Sequence, residues 1–477
     1  MQTKSQPDEI ESFLTDASFI GDGHADRVVL PESIEDVSSL LARANRDRVP
    51  VTVSGAGTGT VGGRVAFGGI VLATDKLNHI KSIDRDGFAV VEAGVILADL
   101  QRAVDQQGLL YPPDPTERGC FVGGNVATNA SGARTFKYGP TRNYIRRLKV
   151  VLASGEIVDL RRGEVRAGAD GRMRIGTIDL SLPSFHMPET RKNATGYFIA
   201  PGMDAIDLFI GSEGTLGVIC EIEVRLLPKP EGLLSGVVFF TNEADVLALV
   251  ADARKHADAR AIEFFDNESL NFLREKYPAI PSEAAGAIFF EQETTESTEE
   301  SILSEWTALL DQHHALSDSW FATNEQDQAK LREFRHQLPV LMNEWFARYK
   351  QRKVSTDMAV PDDAFPGLFR LYKDSLTSSG LRYTIFGHIG DNHVHVNILP
   401  RDDVEGAHAR QLYIQFLKYA ASVGGTLSAE HGVGKLKRDY LRLFYTDDEL
   451  RAMATIKKAL DPNGILGKGN LFPEQVL

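Results

Sequence analysis

Three histidines and a glutamate in the last quarter of this 477-residue chain have the types and spacing for chemistry. His388 and His395 stand in Gly387-His388-Ile389-Gly390-Asp391-Asn392-His393-Val394-His395-Val396-Asn397; Glu430 and His431 stand in Ser428-Ala429-Glu430-His431-Gly432-Val433-Gly434. Far upstream lies a glycine-rich loop, Gly55-Ala56-Gly57-Thr58-Gly59-Thr60-Val61-Gly62-Gly63. A metal-type cluster and a phosphate-type loop on one chain suggest an enzyme that holds a cofactor and activates a polar substrate.

The elements that position these residues are partly readable. His393, His395 and Asn397 alternate with Val394, Val396 and Ile398, so a strand there puts three polar side chains on one face. The Gly390-Asp391-Asn392 turn lets the chain fold back and bring His388 near His395. Taken one at a time, these histidines are equally the solvated face of an antiparallel strand. Glycines at 424, 425, 432 and 434 let the backbone bend sharply around Glu430 and His431. Neighbours in such a loop can take different roles, one a ligand and one a base; the bland alternative for His431 is a hydrogen-bond partner behind the ligands.

The glycine loop contains Gly57-Thr58-Gly59-Thr60-Val61-Gly62, formally a G-x-G-x-x-G pattern. A dinucleotide turn of that type needs a helix opening on its last glycine. Here Arg64-Val65-Ala66-Phe67-Gly68-Gly69-Ile70 follows, a poor helix, which excludes that reading. Glycine still lets successive backbone N–H groups turn inward on an anion. A second small-residue stretch, Gly123-Gly124-Asn125-Val126-Ala127-Thr128-Asn129-Ala130-Ser131-Gly132, allows backbone to approach a large planar ligand. A third is Gly211-Ser212-Glu213-Gly214-Thr215-Leu216-Gly217-Val218-Ile219.

Composition narrows the classes. Lys plus Arg is 52 and Asp plus Glu 66, a net charge of −14, which disfavours a nucleic-acid surface. Two cysteines, Cys120 and Cys220, exclude a Cys-x-x-Cys zinc or iron–sulfur site, so collected electrons must leave to a separate acceptor. The first eight residues lack the apolar core of a signal peptide, and no apolar run reaches the ~20 residues of a membrane span. The expected location is cytoplasmic, with peripheral contact at the inner membrane left open.

From residue 28 to 229 the texture is glycine-rich with short strands at 51–53, 70–73, 89–93, 148–153 and 156–160, a helix at 97–107 and a hairpin at Ser154-Gly155. Pro228-Lys229-Pro230 marks the boundary. Beyond it strands at 237–240, 261–265 and 287–291 interleave with helices at 243–256 and 298–313. That order predicts an antiparallel sheet with helices on one face, an α+β fold overall.

Together with Pro112-Pro113-Asp114-Pro115, Lys137-Tyr138-Gly139 and Arg191-Lys192-Asn193-Ala194-Thr195-Gly196-Tyr197, the three small-residue segments resemble, in order, the PCMH-type FAD-binding domain of the vanillyl-alcohol oxidase type. The C-terminal half resembles the FAD-linked oxidase cap of D-lactate dehydrogenases, glycolate oxidase flavin subunits and D-2-hydroxyglutarate dehydrogenases. The resemblance implies a flavin domain at 1–230, a substrate and metal domain at 231–460, and a return to the flavin domain at 461–477. It implies non-covalent FAD on Gly55, Ala56, Gly57, Thr58, Gly59 and Gly63, on Pro113, Asp114, Gly123, Gly124, Asn125, Thr128, Asn129 and Gly132, and on Glu213, Gly214, Gly217 and Ile219.

It further implies a divalent metal, zinc first, on His388, His395 and Glu430, with His431 as general base. His393 departs from the asparagine usual in the family. Arg335 resembles the arginine that clamps the substrate carboxylate; Lys353 is a second cationic candidate and Asn397 a third polar group on the histidine strand. The implied reaction oxidises a small D-2-hydroxy acid to the 2-oxo acid, hydride passing to flavin N5. A quinone, cytochrome or electron-transfer flavoprotein would take the electrons, and an iron–sulfur partner subunit and a homodimer are the expected assemblies. The alternatives are another flavoenzyme of the fold, such as a sugar or alcohol oxidase or an alkyl-dihydroxyacetone-phosphate synthase, and a flavin-loaded relay subunit.

Overall fold

Helix Ile34–Asp47 shows how the first layer is built. Val37, Leu40, Leu41 and Ala44 recur at helical spacing and bury one stripe against Val29, Val51, Ile70 and Leu72. Ser33 accepts from the Asp36 N–H to start the helix, and Arg48 ends it in the left-handed conformation. The strands beneath it, Arg27–Leu30, Ile70–Ala73 and Val51–Ser54, run parallel, with Gln2–Lys4 antiparallel at one edge. These observations come from a computed structural model that describes residues 1–473 and 476.

A second, antiparallel sheet follows in the order Ile80–Asp84, Phe88–Glu92, Val218–Arg225, Ile145–Val151, Ile157–Arg161. The expected hairpin is there: the Leu152 carbonyl accepts from Gly155, whose φ of +89° a side chain would resist. The central strand Val218–Arg225 arrives from the third small-residue stretch and so carries Gly217 and Ile219 to the edge of a cleft shared by both sheets.

The largest sheet has seven strands, all antiparallel, in the order Trp320–Ala322, Gly232–Phe240, Gly286–Thr294, Ala259–Asp266, Tyr383–Gly387, His395–Ile398, Val354–Ser355. The expected helices form as Glu243–His256 and Glu299–Gln312 and cover one face, setting Val246, Leu249 and Trp306 against Val238, Ile288 and Phe290. The opposite face is covered as well. Helices Asn267–Arg274 and Glu325–Tyr349 bury Leu270, Phe334 and Leu338 against Val237, Phe239 and Phe289. The one-face expectation therefore describes one of two helical layers. The physical reason lies in Val237-Val238-Phe239-Phe240: consecutive apolar residues point to both sides of a pleated strand, so both sides need cover. Each such phenylalanine contributes roughly 1.5–3 kcal/mol on burial.

The tail lands on the strand that enters the glycine loop. Val51 donates to the Ile465 carbonyl at 2.7 Å and accepts from Gly467 at 3.0 Å; Asn470 Nδ2 donates to the Gly63 carbonyl at 2.8 Å. Of the expected return segment, residues 474, 475 and 477 lie outside the described residues. Among the described residues, no helix is long and apolar enough to cross a membrane.

Candidate functional site

The cleft between the two N-terminal sheets is walled by backbone. Gly55, Ala56, Gly57, Thr58, Gly59 and Gly63 line it from the first loop, and Gly123, Gly124, Asn125 and Thr128 from helix Val122–Thr128. Glu213, Gly214, Gly217 and Ile219 close its floor. Glycine is required where contact is closest. A Cβ on Gly123 would lie 2.6 Å from the Ala93 Cβ, and one on Gly57, at φ +81°, 2.5 Å from the Arg64 guanidinium. Arg64 sits under the loop and donates to the Gly55 carbonyl at 2.8 Å. A cation beneath a loop of small residues suits the phosphates of a dinucleotide. Pro113, Asp114, Asn129 and Gly132 do not line this cleft. Asp114 pairs with Arg118 at 3.0 Å, and the Pro113 carbonyl accepts from Gln101. Asn129 caps the helix at φ +49° and accepts from Arg142; the Gly132 carbonyl accepts from Lys192.

The histidine cluster is walled by side chains. The hairpin formed by Tyr383–Gly387 and His395–Ile398 pairs Phe386 with His395, and the expected turn brings the His388 and His395 rings to 5.5 Å. Their Nε2 atoms lie 3.3 and 3.2 Å from one oxygen, Oε1 of Glu430. The other Glu430 oxygen accepts from Ser131 Oγ at 3.0 Å and from the buried Lys192 ammonium at 3.3 Å. The outer histidine nitrogens are fixed too: His395 Nδ1 donates to the Thr356 carbonyl at 3.1 Å, and His388 Nδ1 meets Glu263 at 2.6 Å. Both Nε2 atoms and one carboxylate oxygen therefore converge, oriented from behind, which is how catalytic metal sites are built. Burial alone would raise the Glu430 pKa; the His388 and Lys192 charges more than offset it and hold the carboxylate well below its ordinary range. Burial lowers the His395 pKa and keeps that imidazole neutral. The donor set fits a divalent ion.

His393 belongs to the same group: a nitrogen of its ring lies within 4.8 Å of the ligand atoms of His388, His395 and Glu430. It is fully buried, burial pushes its pKa down to about 3, and neither ring nitrogen makes an aligned hydrogen bond. Asp357 Oδ1 approaches Nε2 at 3.2 Å without that alignment. The expected alternation along the strand begins at His395, and His393 sits in the turn before it.

His431 joins the two regions. It lines the glycine cleft, its Nε2 lies 3.6 Å from Glu430 Oε1, and its ring stacks 5.3 Å from His395. Asp357 holds it, 3.3 Å from Nδ1, while accepting from the His431 backbone N–H at 3.1 Å. Asp357 is itself buried and also accepts from Ser428 and Lys437. Glu213 braces the same loop from the cleft side, accepting from the N–H groups of Val433 and Gly434 at 2.7 Å each. Burial pushes its carboxyl up to about 7 against those two bonds.

Arg335 is in place but partly engaged. Its Nε and Nη2 lie 2.9 and 2.8 Å from Glu263, the carboxylate that orients His388. Burial would raise Glu263; Arg335 and His388 hold it well below the ordinary range. Pro339, four residues on, lacks the N–H that would bond the Arg335 carbonyl, so the helix is loosened there. Asn397 is fully buried beside Ser355 and Thr384, and its Oδ1 has no partner. Lys353 precedes the edge strand Val354–Ser355 and makes no ion pair with the cluster among the described residues, although burial pushes its pKa down to about 8 against the pull of Asp357.

Glu263, Lys192, Ser131 and Asp357 carry roles that the sequence reading did not assign. For Glu263 a signal existed: it is an acid inside Ala261-Ile262-Glu263-Phe264-Phe265, and a charge in an apolar strand must be paired.

Comparison with known proteins identifies the family. A family model described as an FAD binding domain matches residues 25–161, and one described as the C-terminal domain of FAD linked oxidases matches residues 229–471. The chain is 33% identical to a D-lactate dehydrogenase of Anaerostipes hadrus, over 97% of this chain and 93% of that protein. It is 32% identical to the glycolate oxidase subunit GlcD of Bacillus subtilis, over 94% and 89%. It is 31% identical to a D-2-hydroxyglutarate dehydrogenase of Stutzerimonas stutzeri, over 93% and 90%. Among solved structures, an alkyldihydroxyacetonephosphate synthase superposes with a TM-score of 0.69 over 98% of this chain and 83% of the other, at 17% identity, which shows the shared PCMH-type fold alone. Two domain matches in chain order, with relatives a third identical along nearly the whole length, establish that this chain belongs to the FAD-linked oxidases, a family of flavin-dependent oxidoreductases.

Proposed function

We propose that this protein is an FAD- and metal-dependent dehydrogenase of a small D-2-hydroxy acid. The observation that carries the reading is the placement of His431, which faces the glycine cleft while its Nε2 lies 3.6 Å from the carboxylate shared by His388 and His395. The D-lactate and D-2-hydroxyglutarate dehydrogenase relatives support the substrate class.

When bound, FAD supplies the two-electron sink and a divalent ion on His388, His395 and Glu430 supplies Lewis acidity toward the substrate hydroxyl. His431 takes the hydroxyl proton, with Asp357 fixing its ring and stabilising the imidazolium that results. Arg335 holds the substrate carboxylate through the end of its guanidinium that Glu263 leaves open. Asn397, buried with its Oδ1 unpartnered, is the further polar candidate on the histidine strand. The two cysteines are buried and far apart in sequence, so electrons leave the flavin for a separate acceptor.

The test is anaerobic addition of D-lactate, D-2-hydroxyglutarate, glycolate and the L-forms to the FAD-loaded protein, read at the visible flavin band. Bleaching by a D-acid, lost on chelation and in His431→Ala, is the expected result. A flavin-loaded protein that none of these acids bleaches, with metal supplied, refutes the reading.

A further inference from the structure

A second cleft, of about 650 Å³, opens at the joint between the two halves of the molecule. Its walls are helix Leu97–Asp105 and Leu109–Tyr111 on one side, the linker Lys229–Leu233 across the back, and the first turns of helix Glu325–Tyr349 on the other. It shares no lining residue with the glycine cleft or the histidine cluster.

Five arginines line it; besides Arg102, they are Arg118 and Arg134 from the first half of the chain and Arg260 and Arg332 from the second. Two carboxylates behind these four supply the only close countercharge among the described residues. Asp114 lies 3.0 Å from Arg118 and 3.4 Å from Arg134; Glu291 lies 2.8 Å from Arg260 and 3.5 Å from Arg332. At the rim, Lys229 pairs with Asp105, Arg102 pairs with Asp99, and Glu231 and Glu325 are exposed. The inner group thus keeps an excess of cations in a chain whose net charge is −14. One buried donor here lacks any partner, the hydroxyl of Tyr111, which lines the same cleft; Nε of Arg134 makes no aligned hydrogen bond, only the 3.4 Å ion pair with Asp114. Buried donors left unpaired are costly and rare in folded proteins. Burial pushes the Arg260 pKa down to about 10 against the opposing pull of Glu291, with Arg134 adding a smaller push the same way as burial.

We infer that this cleft binds a small anion, a phosphate or carboxylate group, that bridges Arg118 and Arg134 to Arg260 and Arg332 and ties the two halves together. Planar guanidiniums converging from both walls are suited to that chemistry. Arg332 stands one helical turn before Arg335, so the anion is either a free metabolite or the far acid group of a substrate held by Arg335. The inference does not rest on the proposed reaction, because its readout needs no turnover.

The probe is inorganic phosphate, added to the FAD-loaded full chain at constant ionic strength, with chloride as the balancing salt. The expected result is a rise in thermal midpoint of about 2 °C with an unchanged flavin spectrum, abolished in the double variant Arg118→Gln, Arg332→Gln. Both side chains are partly exposed, at 44% and 27%, so the variant is expected to fold. Phosphate that slows bleaching by a hydroxy acid competitively identifies the anion as the substrate's outer group; stabilisation without competition identifies a separate metabolite. A rise no greater than chloride gives, or one that persists in the double variant, overturns the site.

Discussion

The two regions that meet at His431 are built on opposite plans. The glycine cleft is made of backbone, and its residues matter for what they lack: a Cβ at Gly123 would strike Ala93. The histidine cluster is made of side chains, and its residues matter for what holds them: Glu263 behind His388, the Thr356 carbonyl behind His395, Ser131 and Lys192 behind Glu430. A site made of absences tolerates changes of charge nearby and fails on added volume. A site made of oriented donors tolerates changes of volume nearby and fails on a lost hydrogen bond. The loop at 430–434 belongs to both, since Glu213 in the cleft holds it by two N–H groups.

The sharpest way to separate the plans is His431→Ala. Turnover should fall by about 10²–10⁴-fold while flavin content stays at that of the parent; loss of flavin as well would mean the two regions are one unit. Glu263→Gln should weaken metal binding by roughly 10–100-fold, measured by competition with a chromogenic chelator, and leave FAD affinity alone. Gly123→Ala should do the reverse. Overpacking against Ala93 should cost about 1–3 kcal/mol and lower flavin occupancy, with metal stoichiometry preserved. The smallest effect concerns pH. Burial, then Arg335 and Arg118, pushes the His336 pKa from 6.5 to about 4. As pH falls the unfolded chain takes this proton first, so the stability that neutral His336 lends is full above about 6.5 and is lost toward 4. His336→Gln should flatten the curve of thermal midpoint against pH in that window and nowhere else.

The same contrast explains what the sequence made legible. Helix Glu243–His256 and the strands Gly232–Phe240, Ala259–Asp266 and Gly286–Thr294 were readable because their periodicities are local. The glycine segments were readable because missing side chains leave a compositional trace. The supports of the cluster were not. Glu263 is 125 residues from His388, and Lys192 is 238 from Glu430, so no spacing joins them. Nor did the pattern show a second helical layer, because helix Glu325–Tyr349 is amphipathic only against a sheet that forms elsewhere. Asp114 and Gly132, expected at the cofactor, do not line the glycine cleft, and a Cβ on Gly132 would meet the Asp114 carbonyl at 2.1 Å.

The tail that pairs with Val51 has a consequence for synthesis. Residues 465–470 fasten the strand and loop at 51–63, some 400 positions earlier. A ribosome releases the beginning first, so the dinucleotide cradle emerges long before its last hydrogen bonds exist, and contacts of such sequence separation form late. Flavin capture is therefore expected to wait until translation has run past Asn470, and nascent chains arrested short of it should emerge colourless.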